Sequence, residues 1–206
     1  MKLYTNKLSP NCRKVHALAA HLGVALEQVT VNLGSGDHKK PEYLAINPNG
    51  KVPSLVDGST KLWESNALLC YVAGHGTGDT TTWPKSDARY DILRWMFWEQ
   101  SSLAPVLSAL IGEKIFKPMR GGQPDAAVIE ASLNKFRHQA AVLNGELASR
   151  KFLIGDTVTI ADFSVGVWFG YRDICGLPVQ EFGHIERWLG DLAQVKGADE
   201  LAPPKM

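Results

Sequence analysis

The strongest constraint on the fold is a strand–helix–strand pattern in the first 33 residues. Lys2 to Thr5 fits a short strand. Ser9-Pro10 is typical of a helix start, because Ser suits the N-cap and Pro at the first helical position leaves no N–H unpaired. Apolar residues then recur at helical spacing, and a second strand is indicated by the alternation of Val29, Val31 and Leu33. Two strands joined by one helix are expected to be parallel.

A second pattern predicts an antiparallel hairpin. Asp57-Gly58 separates two short apolar segments, residues 52–56 and 61–63, and is a strong hairpin signal. A short helix is predicted from Pro41 to Ile46, and a longer one is predicted to be capped by Ser65. Two parallel strands, an antiparallel hairpin and intervening helices form the layout of a thioredoxin-like α/β domain, which we expect over residues 1–77.

The rest of the chain is predicted to be helical. Apolar residues follow helical spacing around residues 103–111 and 128–147, and Thr159 to Asp162 forms a capping box in which Asp replaces the usual Glu. We expect the Thr/Gly-rich residues 78–85 to be a linker and residues 86–206 to form an all-α helical-bundle domain.

Composition and targeting signals narrow the partners and the compartment. Lys and Arg number 22 and Asp and Glu 21, so the net charge of +1 creates no global field that favours nucleic acid or an anionic membrane. Cys12, Cys70 and Cys175 form neither a disulfide framework nor a zinc pattern, which suits a reducing compartment. The N-terminus lacks the apolar core of a secretion signal, and no run of about 18 apolar residues occurs. The histidines show no metal-ligand spacing. We expect a cytoplasmic protein that needs no metal.

Chemistry is indicated at the first helix start. Ser9-Pro10-Asn11-Cys12 has the spacing of a C-P-x-C redox motif, with Ser in place of the nucleophilic cysteine. A helix N-terminus carries about half a positive charge and free N–H donors. A Ser hydroxyl does not ionise there, but it can donate a hydrogen bond to the thiolate of a bound molecule. The alternative is that Ser9 and Ser65 only cap their helices.

The Val52-Pro53 step also has two interpretations. Pro53 is compatible with a strand start. A cis peptide bond at this step would instead turn backbone groups toward a peptide-like ligand, and the sequence leaves the isomer open.

Three stretches of sequence carry a family resemblance. They are SPNCRKV at residues 9–15, GDHKKPEYLAINPNGKVPSLVDG with the following KLWESNALLCYV at residues 36–58 and 61–72, and FLIGDTVTIADFSV at residues 152–165. In this order they resemble the cytosolic glutathione transferases of the serine type, similar to phi- and theta-like bacterial members, over nearly the whole chain. The resemblance implies the glutathione transferase fold, a detoxifying enzyme, and glutathione as its co-substrate.

The resemblance also implies roles for individual residues. Ser9 would stabilise the glutathione thiolate. Glu64 and Ser65 would hold the γ-glutamyl end, and Val52, followed by Pro53, would bind the cysteinyl part through its backbone. Cations near the glycine carboxylate would be supplied by His38, Lys39 and Lys51.

The second substrate implied by the resemblance is a small hydrophobic electrophile. Phe116 is the main candidate for its pocket, because EKIFKPMRGG at residues 113–122 resembles the stretch that lines this site in phi-like enzymes. The other candidates are Asn11, Leu33 and Ile115. A homodimer is also implied, although Asn49 stands where a phi-like chain usually has an aromatic residue that anchors the partner.

Two other functions stay open at the level of sequence. One is a non-catalytic glutathione-binding or regulatory protein of the same fold. The other is a glutathione-dependent thiol reductase that uses Cys12.

Overall fold

A computed structural model of the chain describes residues 1–76 and 81–204. Its N-terminal part contains one four-stranded sheet, with the strand order β2-β1-β3-β4. β1 and β2 pair in parallel, whereas β1–β3 and β3–β4 are antiparallel. The strands are β1 (Lys2–Thr5), β2 (Glu27–Thr30), β3 (Ser54–Asp57) and β4 (Thr60–Trp63). The predicted parallel pair and hairpin are confirmed.

Helices flank this sheet, and helices joined by turns and loops make up most of the described remainder of the chain. Those of the N-terminal part are α1 (Pro10–Leu22), α2 (Pro41–Leu44) and α3 (Ser65–Gly74). Those that follow are α4 (Ala88–Trp98), α5 (Ala104–Ile111), α6 (Lys117–Met119), α7 (Ala126–Glu146), α8 (Ile160–Gly166), α9 (Arg172–Cys175) and α10 (Gly183–Ala193). Short 3-10 turns cover Asp37–Lys39, Leu147–Ser149, Val167–Tyr171, Val179–Glu181 and Ala198–Leu201. The predicted α/β domain followed by helices is confirmed.

α1 begins and ends where the sequence predicts. Ser9 occupies the N-cap with extended backbone angles, and Pro10 follows at the first helical position. Gly23 ends the helix at φ 69°, a left-handed conformation that glycine adopts without steric cost. The Ser9 side chain makes no capping hydrogen bond to the backbone of its helix.

The second strand is shorter than its apolar alternation predicts. β2 ends at Thr30, although the Val31 N–H still donates to the Thr5 carbonyl at 2.8 Å. The extension to Leu33 was wrong, because the Asn32 side chain accepts hydrogen bonds from the backbone N–H groups of Gly34 and Ser35. Such Asx turns compete with strand pairing and take the chain out of the sheet.

α4, α5 and α6 follow one another through two wider, π-helical segments, Glu99–Leu103 and Gly112–Phe116. Each segment ends two residues before a proline, Pro105 or Pro118. Because proline has no N–H to donate, α-helical hydrogen bonding is interrupted there. The first segment carries two side chains, those of Glu99 and Gln100, that reach the N-terminal part.

α8 starts with the predicted capping box. The Thr159 backbone N–H donates to Asp162 Oδ2 at 2.8 Å, and Asp162 Oδ1 accepts from the Trp188 indole at 3.0 Å. All seven residues of α8 and nine of the 13 residues of the neighbouring α1 are buried. The helix that carries Ser9 therefore lies between the sheet side and the helical side of the core.

The predicted linker, residues 78–85, falls in part outside the described residues, which resume at residue 81. The Thr82 carbonyl accepts from the Ile160 N–H at 3.1 Å. Within residues 1–76 and 81–204, none of the helices has the length and apolar character needed to cross a membrane.

Candidate functional site

The N-termini of α1 and α3 meet at one cleft. Ser65, at the start of α3, donates a hydrogen bond from Oγ to Asn11 Oδ1 in the first turn of α1 at 3.2 Å. Two helix N-termini favour an anionic ligand, because their free N–H groups and dipoles are positive. The cleft is lined by Asn11, Asn47, Asn49, Lys51, Val52, Pro53, Glu64, Ser65 and Gln100.

Glu64, rather than Ser65, is the N-cap of α3, so the predicted cap was wrong by one residue. Glu64 has φ 72° and ψ 111°, and it is the non-glycine residue with positive φ in the described part of the chain. Such a conformation costs about 1–3 kcal/mol and is found at ligand-binding turns. The Gln100 amide donates to the Glu64 carboxylate at 3.1 Å, and the start of the helix places Ser65 in the cleft.

The loop before β3 is held by hydrogen bonds to one carbonyl. The Lys51 carbonyl accepts from the Tyr43 hydroxyl at 2.5 Å and from the Asn47 amide at 2.7 Å. The next peptide bond, Val52-Pro53, is cis, and Pro53 directly precedes β3. Tyr43 and Asn47 are therefore candidates for shaping this loop, and apart from the Asn-Pro turn the sequence gives no indication of that role.

Ser9 lies two residues before Asn11 but is not itself among the lining residues of the cleft. It is half-buried, and its N–H donates to the Asn6 carbonyl at 2.9 Å. Cys12, one turn further on, is fully buried. Burial raises the pKa of the Cys12 thiol, against hydrogen bonds with Asn6, Thr5 and Ser9 that lower it. Burial therefore suppresses ionisation of the protein's own thiol, although Cys12 lies in the first turn of α1.

His38 and Lys39 lie in the 3-10 turn after β2 and are not among the lining residues of the cleft. The turn adjoins the loop that carries Lys51, because a Cβ on Gly50 would meet the His38 carbonyl at 3.0 Å. His38 Nδ1 is buried without a hydrogen-bond partner among the described residues, and Lys39 is exposed. Within those residues no group of three or more His, Cys, Asp or Glu could hold a metal ion.

Comparison with known proteins decides the family. The family model "Glutathione S-transferase, N-terminal domain" matches residues 1–74, and "Glutathione S-transferase, C-terminal domain" matches residues 102–194. The chain belongs to the glutathione S-transferase family. The family resemblance of the sequence is confirmed.

Full-length relatives and solved structures agree with this assignment. The chain is 32% identical to a probable glutathione S-transferase GSTF2 of Oryza sativa subsp. japonica, over 99% of this chain and 98% of the relative. The crystal structure of glutathione transferase F7 from Populus trichocarpa superposes with a TM-score of 0.87 at 25% identity, covering 97% and 96% of the two chains. A theta class glutathione S-transferase from Xanthomonas axonopodis pv. citri, solved with glutathione bound, gives a TM-score of 0.88 at 28% identity, covering 99% and 97%.

In this glutathione S-transferase, the four candidates for the electrophile pocket lie in different surroundings. Asn11 lines the cleft with Ser65. Leu33 is partly exposed in the loop after β2, and Phe116 is half-buried at the end of the second π-helical segment. Ile115 is packed in the core, so its side chain does not line an open pocket in this structure.

A buried polar network beneath the cleft joins the two parts of the transferase. Lys14 Nζ lies 3.1 Å from Glu99 Oε2, and both side chains are essentially fully buried. Asn66 bonds to both, and the remaining donors to Glu99 are Ser164 and Trp168. Burial lowers the pKa of Lys14, while the Glu99 carboxylate raises it. The helical spacing of α1 predicts a helix but gives no sign that a lysine lies on its buried side.

Proposed function

We propose that this protein binds glutathione in the cleft and conjugates its thiolate to a hydrophobic electrophile. The observation that carries the proposal is the position of Ser9. It occupies the N-cap of α1 without capping it, two residues from a side chain that lines the cleft. A serine hydroxyl that does not cap its helix, at a positive helix end, is the group needed to stabilise a bound thiolate.

The lining residues have the chemistry to hold the rest of the tripeptide. The Glu64 carboxylate would pair with the ammonium of the γ-glutamyl group, and Ser65 would donate to its carboxylate from the start of α3. Val52 would bind the cysteinyl part through its backbone. Lys51, with His38 and Lys39 on the neighbouring turn, would attract the glycine carboxylate.

Catalysis would follow from ionising the thiol and placing the reactants together. A free thiol has a pKa of about 8.5, so only a few per cent is thiolate at pH 7. A hydrogen bond to a charged group is worth about 1.5–3 kcal/mol, and each pKa unit corresponds to about 1.4 kcal/mol. One hydrogen bond from Ser9 would therefore lower the thiol pKa by about 1–2 units. The thiolate would then form a C–S bond with the electrophile as its leaving group departs.

Ser9→Ala tests this role. The pKa of bound glutathione, measured by the ultraviolet absorbance of its thiolate, should rise by about 1–2 units, because the charge-assisted hydrogen bond is lost. The value of kcat should fall and KM for glutathione should change little. Ser35→Ala, on the exposed loop after β2, is the matched control. An unchanged thiol pKa in Ser9→Ala would contradict the proposal.

Glu64→Ala tests the γ-glutamyl site. Glutathione binding, measured by calorimetry, should weaken about tenfold or more, since removing a group that pairs with a charge costs about 1.5–3 kcal/mol. Circular dichroism should show an intact fold, because Glu64 is exposed. Equal affinity would remove Glu64 from the site.

We propose that the electrophile pocket lies in the helical part, with Phe116 as its main residue and Leu33 and Asn11 at its edge. Phe116→Ala should raise KM for apolar aryl electrophiles more than KM for glutathione. We also propose that residues 1–77 bind glutathione, that residues 78–85 link the two domains, and that residues 86–206 supply the pocket. The ranges of the two family models support this division.

A cytoplasmic homodimer is the assembly we propose. Three large apolar side chains are well exposed on β4 and α4, namely Trp63 at 39%, Tyr90 at 73% and Phe97 at 68%. Exposed aromatic residues of this kind favour a protein interface. Light scattering should give twice the mass of the chain, and Phe97→Glu should shift the protein toward monomer.

Two measurements distinguish this function from the two others left open by the sequence. A thiol reductase would need a reactive Cys12, yet this thiol is fully buried and its pKa is raised, so little thiolate is present. A mixed disulfide with glutathione that disappears in Cys12→Ser would nevertheless establish that function. Retention on immobilised glutathione without turnover of any aryl halide would indicate a non-catalytic binding protein.

A further inference from the structure

The turn that leads into Ser9 is held from outside by two side chains. The turn closes when the Ser9 N–H donates to the Asn6 carbonyl at 2.9 Å. The carbonyl of Leu8 accepts from the Tyr171 hydroxyl at 2.9 Å, and that of Lys7 accepts from Arg13 Nη1 at 3.1 Å. Tyr171 ends the 3-10 turn after α8, so it reaches the turn from the helical part of the chain.

The bond to Leu8 bears directly on Ser9. A peptide unit is planar, so the Leu8 carbonyl and the Ser9 nitrogen belong to one rigid group. A hydrogen bond to that carbonyl fixes the plane from which the Ser9 side chain projects. Ser9 has φ −84° and ψ 123°, angles that are fixed on one side by this plane and on the other by α1.

The Tyr171 hydroxyl is itself oriented. Arg13 Nη1 donates to it at 2.9 Å, which directs the single hydroxyl proton toward Leu8. The guanidinium also lies 4.8 Å from the centre of the Tyr171 ring and donates from Nε to the Leu201 carbonyl at 3.3 Å. Tyr171 is 3% exposed and Arg13 is 1% exposed, so water does not compete for these bonds.

Packing alone does not account for this arrangement. Arg13 Nη2 is buried without a hydrogen-bond partner in the described part of the chain, and an unsatisfied buried donor is destabilising. An apolar side chain would fill the space without that cost. The geometry points instead to a use for the hydrogen bonds that Arg13 and Tyr171 do make.

We propose that Tyr171, oriented by Arg13, is a positioning residue that holds Ser9 in place for the glutathione sulfur. Its side chain acts through the Leu8–Ser9 peptide unit and does not itself contact the sulfur. This inference rests on the proposed role of Ser9, and it assigns part of the catalytic geometry to a residue of the helical domain.

Tyr171→Phe removes the hydroxyl and keeps the ring. The thiol pKa of bound glutathione should rise by about 0.4–1 unit, the range expected for losing one neutral hydrogen bond. At a pH below the thiol pKa, kcat should fall two- to tenfold, with KM for glutathione within twofold of wild type. In the Ser9→Ala background the same substitution should give no further shift, because both changes act on one hydrogen bond.

Tyr71→Phe is the matched control. Its half-buried hydroxyl donates to Asp57 at 3.1 Å, beside Met1 and therefore at the end of β1 away from the Ser9 turn. This variant should leave the thiol pKa unchanged. If Tyr171→Phe shifts the pKa by the same amount with Ala at position 9 as with Ser, Tyr171 does not act through Ser9 and the inference is overturned.

A second measurement does not depend on catalysis. Hydrogen exchange of the backbone amides in residues 6–12 should be several-fold faster in Tyr171→Phe than in wild type or Tyr71→Phe, because the turn loses a tether. If Ser9→Ala leaves the thiol pKa unchanged, the proposed function fails, and this exchange rate still decides whether Tyr171 holds the turn. Unchanged exchange in Tyr171→Phe would overturn the inference.

Discussion

Glu99→Gln is expected to destabilise the protein more than any single exposed substitution, because Glu99 is an acceptor surrounded by donors. Its carboxylate accepts four hydrogen bonds. The donors are Lys14 Nζ at 3.1 Å, Asn66 Nδ2 and Ser164 Oγ at 3.0 Å, and the Trp168 indole at 2.6 Å. The substituted amide keeps one acceptor oxygen and places an NH2 group among these donors. Lys14 is left buried without a carboxylate in contact.

The magnitude follows from the burial of the pair. Removing one partner of a buried ion pair costs about 3–5 kcal/mol, whereas replacing both by apolar groups is often close to neutral. For a chain of 206 residues, each kcal/mol shifts the melting temperature by about 2–4 °C. Glu99→Gln should therefore lower it by about 6–20 °C. Lys14→Met should cost less, because burial already lowers the pKa of Lys14 and thus disfavours its charged form.

The double variant Lys14→Met with Glu99→Leu, measured beside the single variants Lys14→Met and Glu99→Leu, provides the decisive comparison. Urea unfolding at pH 7.5 can be followed by circular dichroism and tryptophan fluorescence. The double variant should lose at least about 2 kcal/mol less free energy of unfolding than the sum of the losses in the two single variants. KM for glutathione should rise a few-fold in Glu99→Gln, because the next residue, Gln100, bonds to Glu64. Additive losses of stability would refute the view that Lys14 and Glu99 act as a coupled pair between the N-terminal and helical parts of the chain.

Three further outcomes follow from buried groups. Burial lowers the pKa of His16, so the unfolded chain binds a proton at a higher pH than the folded chain does, and stability should fall as the pH drops below about 6.5. The urea midpoints at pH 7.5 and pH 5.5 should therefore differ less in His16→Asn than in wild type. Gly197→Ala should cost about 2 kcal/mol or more in urea unfolding, because φ is +83° and the new Cβ would meet the Ala17 carbonyl at 2.5 Å; Gly58→Ala, with φ +57° and open space, should cost about 1 kcal/mol, and equal losses would contradict the steric argument. Alkylation of Cys12 at pH 8 should be at least tenfold slower in the native protein than in urea, and rapid native labelling would contradict its burial.

The sequence predicts those parts of this fold that depend on local backbone chemistry. The Ser9-Pro10 start and the Gly23 end of α1, the hairpin around Gly58 and the capping box before α8 are each set by residues within one turn of one another. The second strand was overestimated at Leu33 because the competing signal, the Asn32 side chain, comes from a single residue. In the sequence, one turn-forming residue is a weaker signal than several alternating apolar residues, so the end of the strand is identified only from the structure.

The candidate site likewise combines residues from short local segments with residues that are distant in sequence. The cleft is lined by five residues in two short segments that the family resemblance implies as binding residues, namely Lys51, Val52, Pro53, Glu64 and Ser65. Other contributors become visible only when distant segments meet: Gln100 is 36 positions from Glu64. Tyr171 is 163 positions from Leu8. Helical spacing predicts that a residue is on a helix, but the identity of its partner depends on packing between domains.

Arg13 and Lys14 are consecutive cations on α1, and their different partners have an electrostatic consequence. Neighbouring helical residues point about 100° apart, so Lys14 meets Glu99 while Arg13 meets Tyr171 and the Leu201 carbonyl. The charge of Lys14 is balanced by a carboxylate. Among the described residues, the hydrogen-bond partners of Arg13 are neutral, so its charge adds to the positive end of the helix. The guanidinium already lowers the pKa of the adjacent Cys12 thiol against the larger effect of burial. The same field would act with the same sign on a thiolate bound at the start of α1, so under the proposed function the residue that orients Tyr171 would also favour the ionised form of the substrate.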